Sequence, residues 1–310
     1  MPRTIAILGY GAVGRDIARQ LAARGDKVRI FQRTRPEVLP AGAEFHPGSL
    51  DDAAAVASAV AGADTLICAA GLRYIAEVWE REWPLAMTNM LSACEKSRAR
   101  FILVDNLYMY GPQTTPLRED MPLTDFGRKP KARAAITRQW QAAHTQGRVR
   151  ATAVRASDFY GPRVGTSVVS HYGIAPLVKG KTIYLPYSPD QPHDFTYVPD
   201  FARAIVTLAD APDTDYGQAW HVPNAPTLSL RQVLERAGKL AGRAPKISVM
   251  PGLMKTVFGW FTPELKELAE MSFQTDRPYH VDTAKFRARF WSDATPFDDG
   301  LRATIGSYRS

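Results

Sequence analysis

Glycines at positions 9, 11 and 14 stand where one hydrophobic pattern gives way to another. Before them, TIAIL at residues 4–8 is a short β-rich apolar run, the length of a buried strand. After them, Val13, Ile17 and Leu21 recur at helical spacing and make one apolar face. The glycines therefore occupy a strand-to-helix turn. There Gly9 permits a tight bend, Gly11 lets an anion approach the backbone, and Gly14 lets helix and strand pack closely. A bare G-x-G-x-x-G also describes flexible loops. The strand before this one, the helix after it and a second apolar strand at residues 27–32 make it a dinucleotide site, with the pyrophosphate on the amides of Gly11, Ala12, Val13 and Gly14.

The rest of the first half repeats the unit. Residues 44–50 read as strand and turn, 51–61 as an alanine-rich helix, 64–69 as a strand, 74–97 as a helical stretch broken at Pro84, and 101–104 as a fifth strand. A basic helix at 128–144 and a strand at 149–155 follow. Strands alternating with helices in this way predict an α/β fold, a Rossmann doubly wound parallel sheet. Beyond it the alternation stops. Short strands are expected at 182–186, 194–198 and 218–222, a helix at 200–210, and mainly helix from Ser229 onward with one strand near 279–281. The expected division is a dinucleotide-binding domain of residues 1–160 plus 191–225 and a smaller, mostly helical substrate domain of 161–190 plus 226–310. The Met, Phe and Trp residues of VMPGLMKTVFGWF would supply the latter's apolar pocket or its core.

The tip of the second strand meets the adenosine ribose in such a fold, where an acid suits a free 2′-hydroxyl and an arginine a 2′-phosphate. Here Gln32, Arg33, Thr34 and Arg35 offer two arginines and no acid, which favours NADP over NAD. The formal charge of +8 invites a nucleic-acid reading, but the Lys and Arg residues are dispersed and no recognition motif accompanies them. Cys68 and Cys94 form neither a disulfide framework nor a metal-ligand pair and read as buried small hydrophobes; the six histidines show no ligand spacing, so no metal is expected. With no long apolar run and no signal-peptide pattern, the expectation is a cytoplasmic protein without membrane or nucleic-acid partners, acting on a small molecule.

Taken together, GYGAVGR, SLDD after strand three, ICAAG on strand four, Asn89 in the next helix, NLYMYGP, VRASDFYGP and HDFTYVPDFARAI resemble, in order and spacing, the extended short-chain dehydrogenase/reductase superfamily, the NAD(P)-dependent epimerase/dehydratase group. The resemblance implies cofactor contacts at Ser49, Leu50, Ala69, Ala70, Gly71, Asn89 and Phe159, and substrate contacts at Tyr110 and Asp158. The superfamily's usual acid/base set is a Ser or Thr after strand five and a Tyr-x-x-x-Lys on the next helix. In this chain Asn106 stands in the serine's place and the helix carries no tyrosine. One register puts Lys129 at the tyrosine position and Arg133 at the lysine position, as KPKARAAIT also resembles the isoflavone-reductase-like branch; the other puts Asp125 at the tyrosine position and makes Lys129 the ribose lysine. Residues four apart share a helix face, so both point Lys129 toward the cofactor.

Lys129, Asn106 and Tyr108 are thus the candidate catalytic residues, with Arg128, Lys131 and Arg133 as cations surrounding the ammonium. Three functions follow. The first is an NADPH-dependent reductase of a small, fairly apolar carbonyl, imine or enone. The alternatives are a nucleotide-sugar epimerase or dehydratase, and an NADP-sensing protein without turnover. Trp79 and Trp140 mark helices suited to a homodimer interface, with a monomer equally allowed. His193 reads as surface or as a satisfied core group.

Overall fold

The computed structural model describes residues 2–250, 267 and 269–309. It contains two compact units, the first built from Met1–Tyr110, Pro122–Arg155 and Phe201–His221, the second from Gly111–Met121, Ala156–Asp200 and Val222–Ser310.

In the first unit, strands β1 (Thr4–Leu8), β2 (Lys27–Gln32), β3 (Glu44–Pro47), β4 (Thr65–Cys68), β5 (Arg100–Asp105) and β6 (Ala151–Arg155) join Ala219–His221 in one seven-stranded sheet. Every neighbouring pair is parallel, in the order Ala219–His221, β6, β5, β4, β1, β2, β3. Helices α1 (Ala12–Ala23), α2 (Ala53–Val60), α3 (Ala76–Ser97) and α4 (Lys129–Thr145) connect them. Both faces are covered, which is why β4 is buried throughout and reads as an unbroken apolar run. The winding reverses between β1 and β4, and ligands of open α/β sheets sit at such a point, off the carboxyl ends of the strands.

One expectation is corrected here. Helix α3 is not broken at Pro84 but runs through it for 22 residues. Its inner face packs Trp79, Trp83, Met87 and Met90 into the core, which outweighs one missing backbone hydrogen bond. The Trp79 and Trp140 side chains themselves are buried in this core.

The second unit holds three two-stranded pairings. Asp158–Tyr160 lies parallel to Phe195–Tyr197, Ile183–Leu185 parallel to Ile247–Val249, and Pro192–His193 antiparallel to Leu228–Ser229. Helices Leu230–Ala241 and Phe297–Arg309 pack on them around Leu177, Leu185, Leu234, Leu301 and Ile305. A capping box between Ser229 and Gln232 starts the first of these helices, and Gly242, at φ +71, ends it. Because Asp158–Tyr160 pairs with Phe195–Tyr197 and not with the large sheet, residues 156–160 and 191–200, expected in the dinucleotide domain, group with the second unit, as do 111–121 and 222–225. The strand expected near 279–281 is reduced to isolated bridges, His193 with Tyr279 and Leu117 with Val281. Residues 251–261 of the apolar run VMPGLMKTVFGWF lie outside the described residues. Among the described residues no helix is long and apolar enough to cross a membrane.

Candidate active site

The glycine turn has two closed positions and one open one. A Cβ on Gly9, at φ +95, would lie 2.4 Å from the Ala70 Cα; on Gly14 it would lie 2.2 Å from the Gly9 carbonyl oxygen. On Gly11 it would meet nothing within 4 Å. The first and third glycines are therefore demanded by the protein's own packing, while the second is exposed and leaves its backbone accessible. Gly11 is the N-cap of α1, no side chain caps it, and the first turn, with Ala12 and Val13, holds no acid. The first-turn amides and the helix dipole thus offer an anion site without a competing carboxylate. This geometry fits a dinucleotide pyrophosphate.

The surroundings extend that cradle. The Ala69 amide donates to the Leu8 carbonyl at 2.8 Å, locking the tips of β4 and β1 together, and Gly71 beyond is exposed. Gln32 accepts from the Tyr10 amide at 3.2 Å and donates to the Thr34 carbonyl at 2.6 Å, so the end of β2 is fastened to the glycine turn. Arg33 and Thr34 are exposed beside it. The Ser49 hydroxyl, with Arg33 contributing less, holds the Asp51 carboxyl below its usual range. Asn89 donates to the Leu50 carbonyl at 2.9 Å and so braces the loop after β3.

At the carboxyl end of β5, Asn106 accepts from the Tyr108 amide at 3.0 Å and closes a tight turn. The Tyr108 ring stacks on Trp79 at 6.0 Å, and Trp79 meets Tyr74 edge-on at 5.5 Å. Lys129, first residue of α4, is buried with its Nζ 4.9 Å from the centre of the Tyr74 ring. Tyr74 itself is 37% exposed. The structure thus links Tyr108 and Lys129 through Trp79 and Tyr74, with Asn106 on the turn that holds Tyr108, and adds Tyr74, a phenol that sequence reasoning missed. Its only sequence signal was a tyrosine just beyond strand four. Of the cations expected around Lys129, Arg128 is bound by Glu80 and Arg133 by Asp105.

Below this turn lies a buried polar network. Asp105 receives both Arg133 and Arg155, the latter from Nε at 3.2 Å, and also accepts the Asn106 amide at 2.9 Å. Arg155 reaches the Tyr110 hydroxyl at 2.5 Å and Thr137 at 3.3 Å, and Tyr110 meets His221 Nε2 at 2.9 Å. Burial opposes the charge on Arg155, yet Tyr110 and Asp105 hold its guanidinium above the usual range. Two expectations change accordingly. Tyr110, expected on the substrate, is 1% exposed, with its hydroxyl held between Arg155 and His221. Arg133, expected on the cofactor, is buried and lies 4.6 Å from the Trp83 ring centre, with its head group on Asp105.

In the second unit Phe159 and Asp158 are half-buried on the strand paired with Phe195–Tyr197. His193, expected at the surface or as a satisfied core group, is buried there, with Nδ1 3.1 Å from the Gln274 carbonyl and Nε2 3.2 Å from Asp158 Oδ2. Cys68 and Cys94 are buried free thiols in the first unit's core. Among the described residues no group of three His, Cys, Asp or Glu side chains is placed to hold a metal ion.

Comparison with known proteins places these features in context. Residues 5–222 match the model of the NAD dependent epimerase/dehydratase family. No curated protein matches the sequence significantly. Among solved structures, UDP-glucose 4-epimerase of Thermus thermophilus, in complex with NAD, is similar with a TM-score of 0.78 and 20% identity, covering 99% of each chain. dTDP-glucose 4,6-dehydratase of Bacillus anthracis, in complex with NAD, has a TM-score of 0.81 at 16% identity over 99% of this chain and 96% of that one. UDP-glucuronic acid 4-epimerase of Bacillus cereus, in complex with UDP-glucuronic acid and NAD, has a TM-score of 0.81 at 15% identity over 99% of each. At these identities the likeness is one of fold.

Proposed function

The chain belongs to the NAD-dependent epimerase/dehydratase family, and on that footing we propose that it transfers hydride at an alcohol or carbonyl carbon of a nucleotide sugar. The observation that carries the reading is the glycine turn, closed at Gly9 and Gly14 and open at Gly11, on a family match that spans most of the chain. That three proteins of the same fold act on nucleotide sugars supports the substrate class. A bound nicotinamide supplies the hydride acceptor or donor. Gly11, Ala12, Val13 and Gly14 would hold the pyrophosphate and Arg33 and Thr34 the adenosine ribose, with Ser49, Leu50, Ala69, Ala70, Gly71 and Asn89 completing the first unit's cofactor surface, several of them through backbone. Lys129 exchanges the proton of the reacting oxygen, and Asn106 and Tyr108 donate hydrogen bonds to that oxygen as charge builds on it.

A second reading, an NADPH-dependent reductase of a small carbonyl, imine or enone, is favoured by one observation. The end of β2 presents Arg33 with no acid in line with it. The test is to release and quantify any nucleotide carried by the purified protein, titrate the emptied protein with NADH and NADPH, and assay UDP- and dTDP-hexoses. Co-purified NAD with hexose turnover is the expected result. An empty protein that binds NADPH at least about tenfold tighter (1.4 kcal/mol), with the gap erased by Arg33→Ala, moves the assignment to the reductase. Tight binding with no turnover of hexoses, carbonyls or enones leaves a sensor.

A further inference from the structure

Lys129 occupies a place that the backbone makes unfavourable for an ammonium. The residue is buried, and as the first of α4 it lies at the positive end of that helix dipole. Two acids on the packed elements are engaged by arginines, Glu80 of α3 by Arg128 and Asp105 at the end of β5 by Arg133. Lys131, the other cation of this first turn, is exposed. An attraction comes instead from the Tyr74 ring, whose centre lies 4.9 Å from Nζ, within the range at which an aromatic face holds a cation.

Tyr74 belongs to the exposed loop between β4 and α3, yet its ring is anchored. Trp79 meets it edge-on at 5.5 Å and 84°. Trp79 in turn stacks on Tyr108 at 6.0 Å and 16° and stands edge-on to Trp83 at 6.3 Å, so the loop ring is tied through a core tryptophan to the turn that carries Asn106. A lysine stem is long and flexible, and an ammonium that must meet a reacting oxygen has to be held at one spot. We propose that Tyr74 is the positioning residue of Lys129, its ring face, and not its hydroxyl, fixing Nζ against the Asn106–Tyr108 turn. The proposal rests on the reading of Lys129 as the group that exchanges the proton, and adds to it a residue from a different element.

The test compares the full chain with Tyr74→Phe and Tyr74→Leu by two readouts. The first is NMR of the chain labelled with ¹³C at lysine Cε, with the Lys129 signal assigned through Lys129→Met; protons over an aromatic face move upfield, and no substrate is needed. The upfield position is expected in the parent and in Tyr74→Phe and is expected to be lost in Tyr74→Leu. The second is steady-state kinetics beside urea unfolding. Tyr74→Leu is expected to lower kcat about ten- to a hundredfold with KM and the unfolding midpoint near the parent's, and Tyr74→Phe to restore kcat to within a few-fold. If Tyr74→Leu does not fold, the Lys129 signal of the parent decides alone, and an ordinary lysine position there overturns the proposal. It is also overturned by a signal that Tyr74→Leu leaves in place, by equal losses of kcat in Phe and Leu, or by full turnover in Tyr74→Leu when Lys129→Met has lost it. Full turnover in Lys129→Met overturns the proton-exchange reading instead, and the NMR contrast then still upholds the hold of Tyr74 on the ammonium.

Discussion

The ammonium of Lys129 lies under the Tyr74 ring, 4.9 Å from its centre, so a buried cation and a half-open phenol share one spot at the start of α4. If Lys129 exchanges the substrate proton, Lys129→Met lowers kcat about 10²- to 10⁴-fold. Tyr74→Phe keeps the ring over the ammonium and removes only the hydroxyl, so it leaves kcat within a few-fold. Steady-state kinetics on the substrate found above checks both. A large loss in Tyr74→Phe would move the proton transfer to the phenol.

The glycine turn separates stability from binding. Gly14→Ala drives a Cβ into the Gly9 carbonyl and is expected to cost about 1–3 kcal/mol in urea unfolding. Gly11→Ala meets open space, so its unfolding midpoint stays close to the parent's while dinucleotide affinity falls about tenfold or more. Calorimetric titration beside denaturation distinguishes the two. Equal effects of both variants on binding and on folding would refute the assignment of Gly11 to the ligand.

Asp105 serves two buried arginines, and the consequences of removing each partner differ in size. Asp105→Asn leaves two guanidinium groups without a counter-charge and is expected to destabilise by about 3–5 kcal/mol. Arg133→Met leaves a balanced Asp105–Arg155 pair and a chain that packs against Trp83, so its cost is clearly smaller. Chemical denaturation of the two variants gives the ranking, and the reverse order would show that the network is not governed by charge balance.

Burial pushes the Cys68 thiol up to about 11 from 9.0, and the Tyr216 phenol up to about 12 from 10.0. Both groups hold their proton more tightly when folded. Their contribution is therefore complete below the unfolded values and is lost as pH rises, from about 9 to 11 for Cys68 and about 10 to 12 for Tyr216. Stability is expected to fall across that range, with a Cys68 share on the order of 3 kcal/mol. Cys68→Ala should flatten the lower part of the decline in urea unfolding measured at successive pH values. An unchanged slope would show that the thiol is not what titrates.

The alternation of β-rich and helical segments was enough to read the parallel sheet, because strands covered on both faces are continuous apolar runs and crossovers leave a helical stripe between them. The glycine turn was legible for a similar reason: its spacing is a steric statement about backbone. What the sequence could not show depended on distant partners. Pro84 signals a break to any local rule, and only the buried tryptophan face of α3 overrides it. Tyr110 resembles a ligand contact until Arg155 and His221, far along the chain, claim its hydroxyl. His193 carries no spacing signal at all, since its surroundings come from Asp158, Phe195, Gln274 and Tyr279.

The strand Ala219–His221 closes one margin of the large sheet by pairing with β6. On a ribosome this has a temporal meaning. Once residue 155 has emerged, β6 presents an unpaired backbone margin for as long as the next 64 or so residues take to be made, at about 5–20 residues per second. For those several seconds the nascent chain carries an open template for a neighbouring strand. A polypeptide ending near residue 160 would keep that margin permanently, and self-association is the fate expected of it.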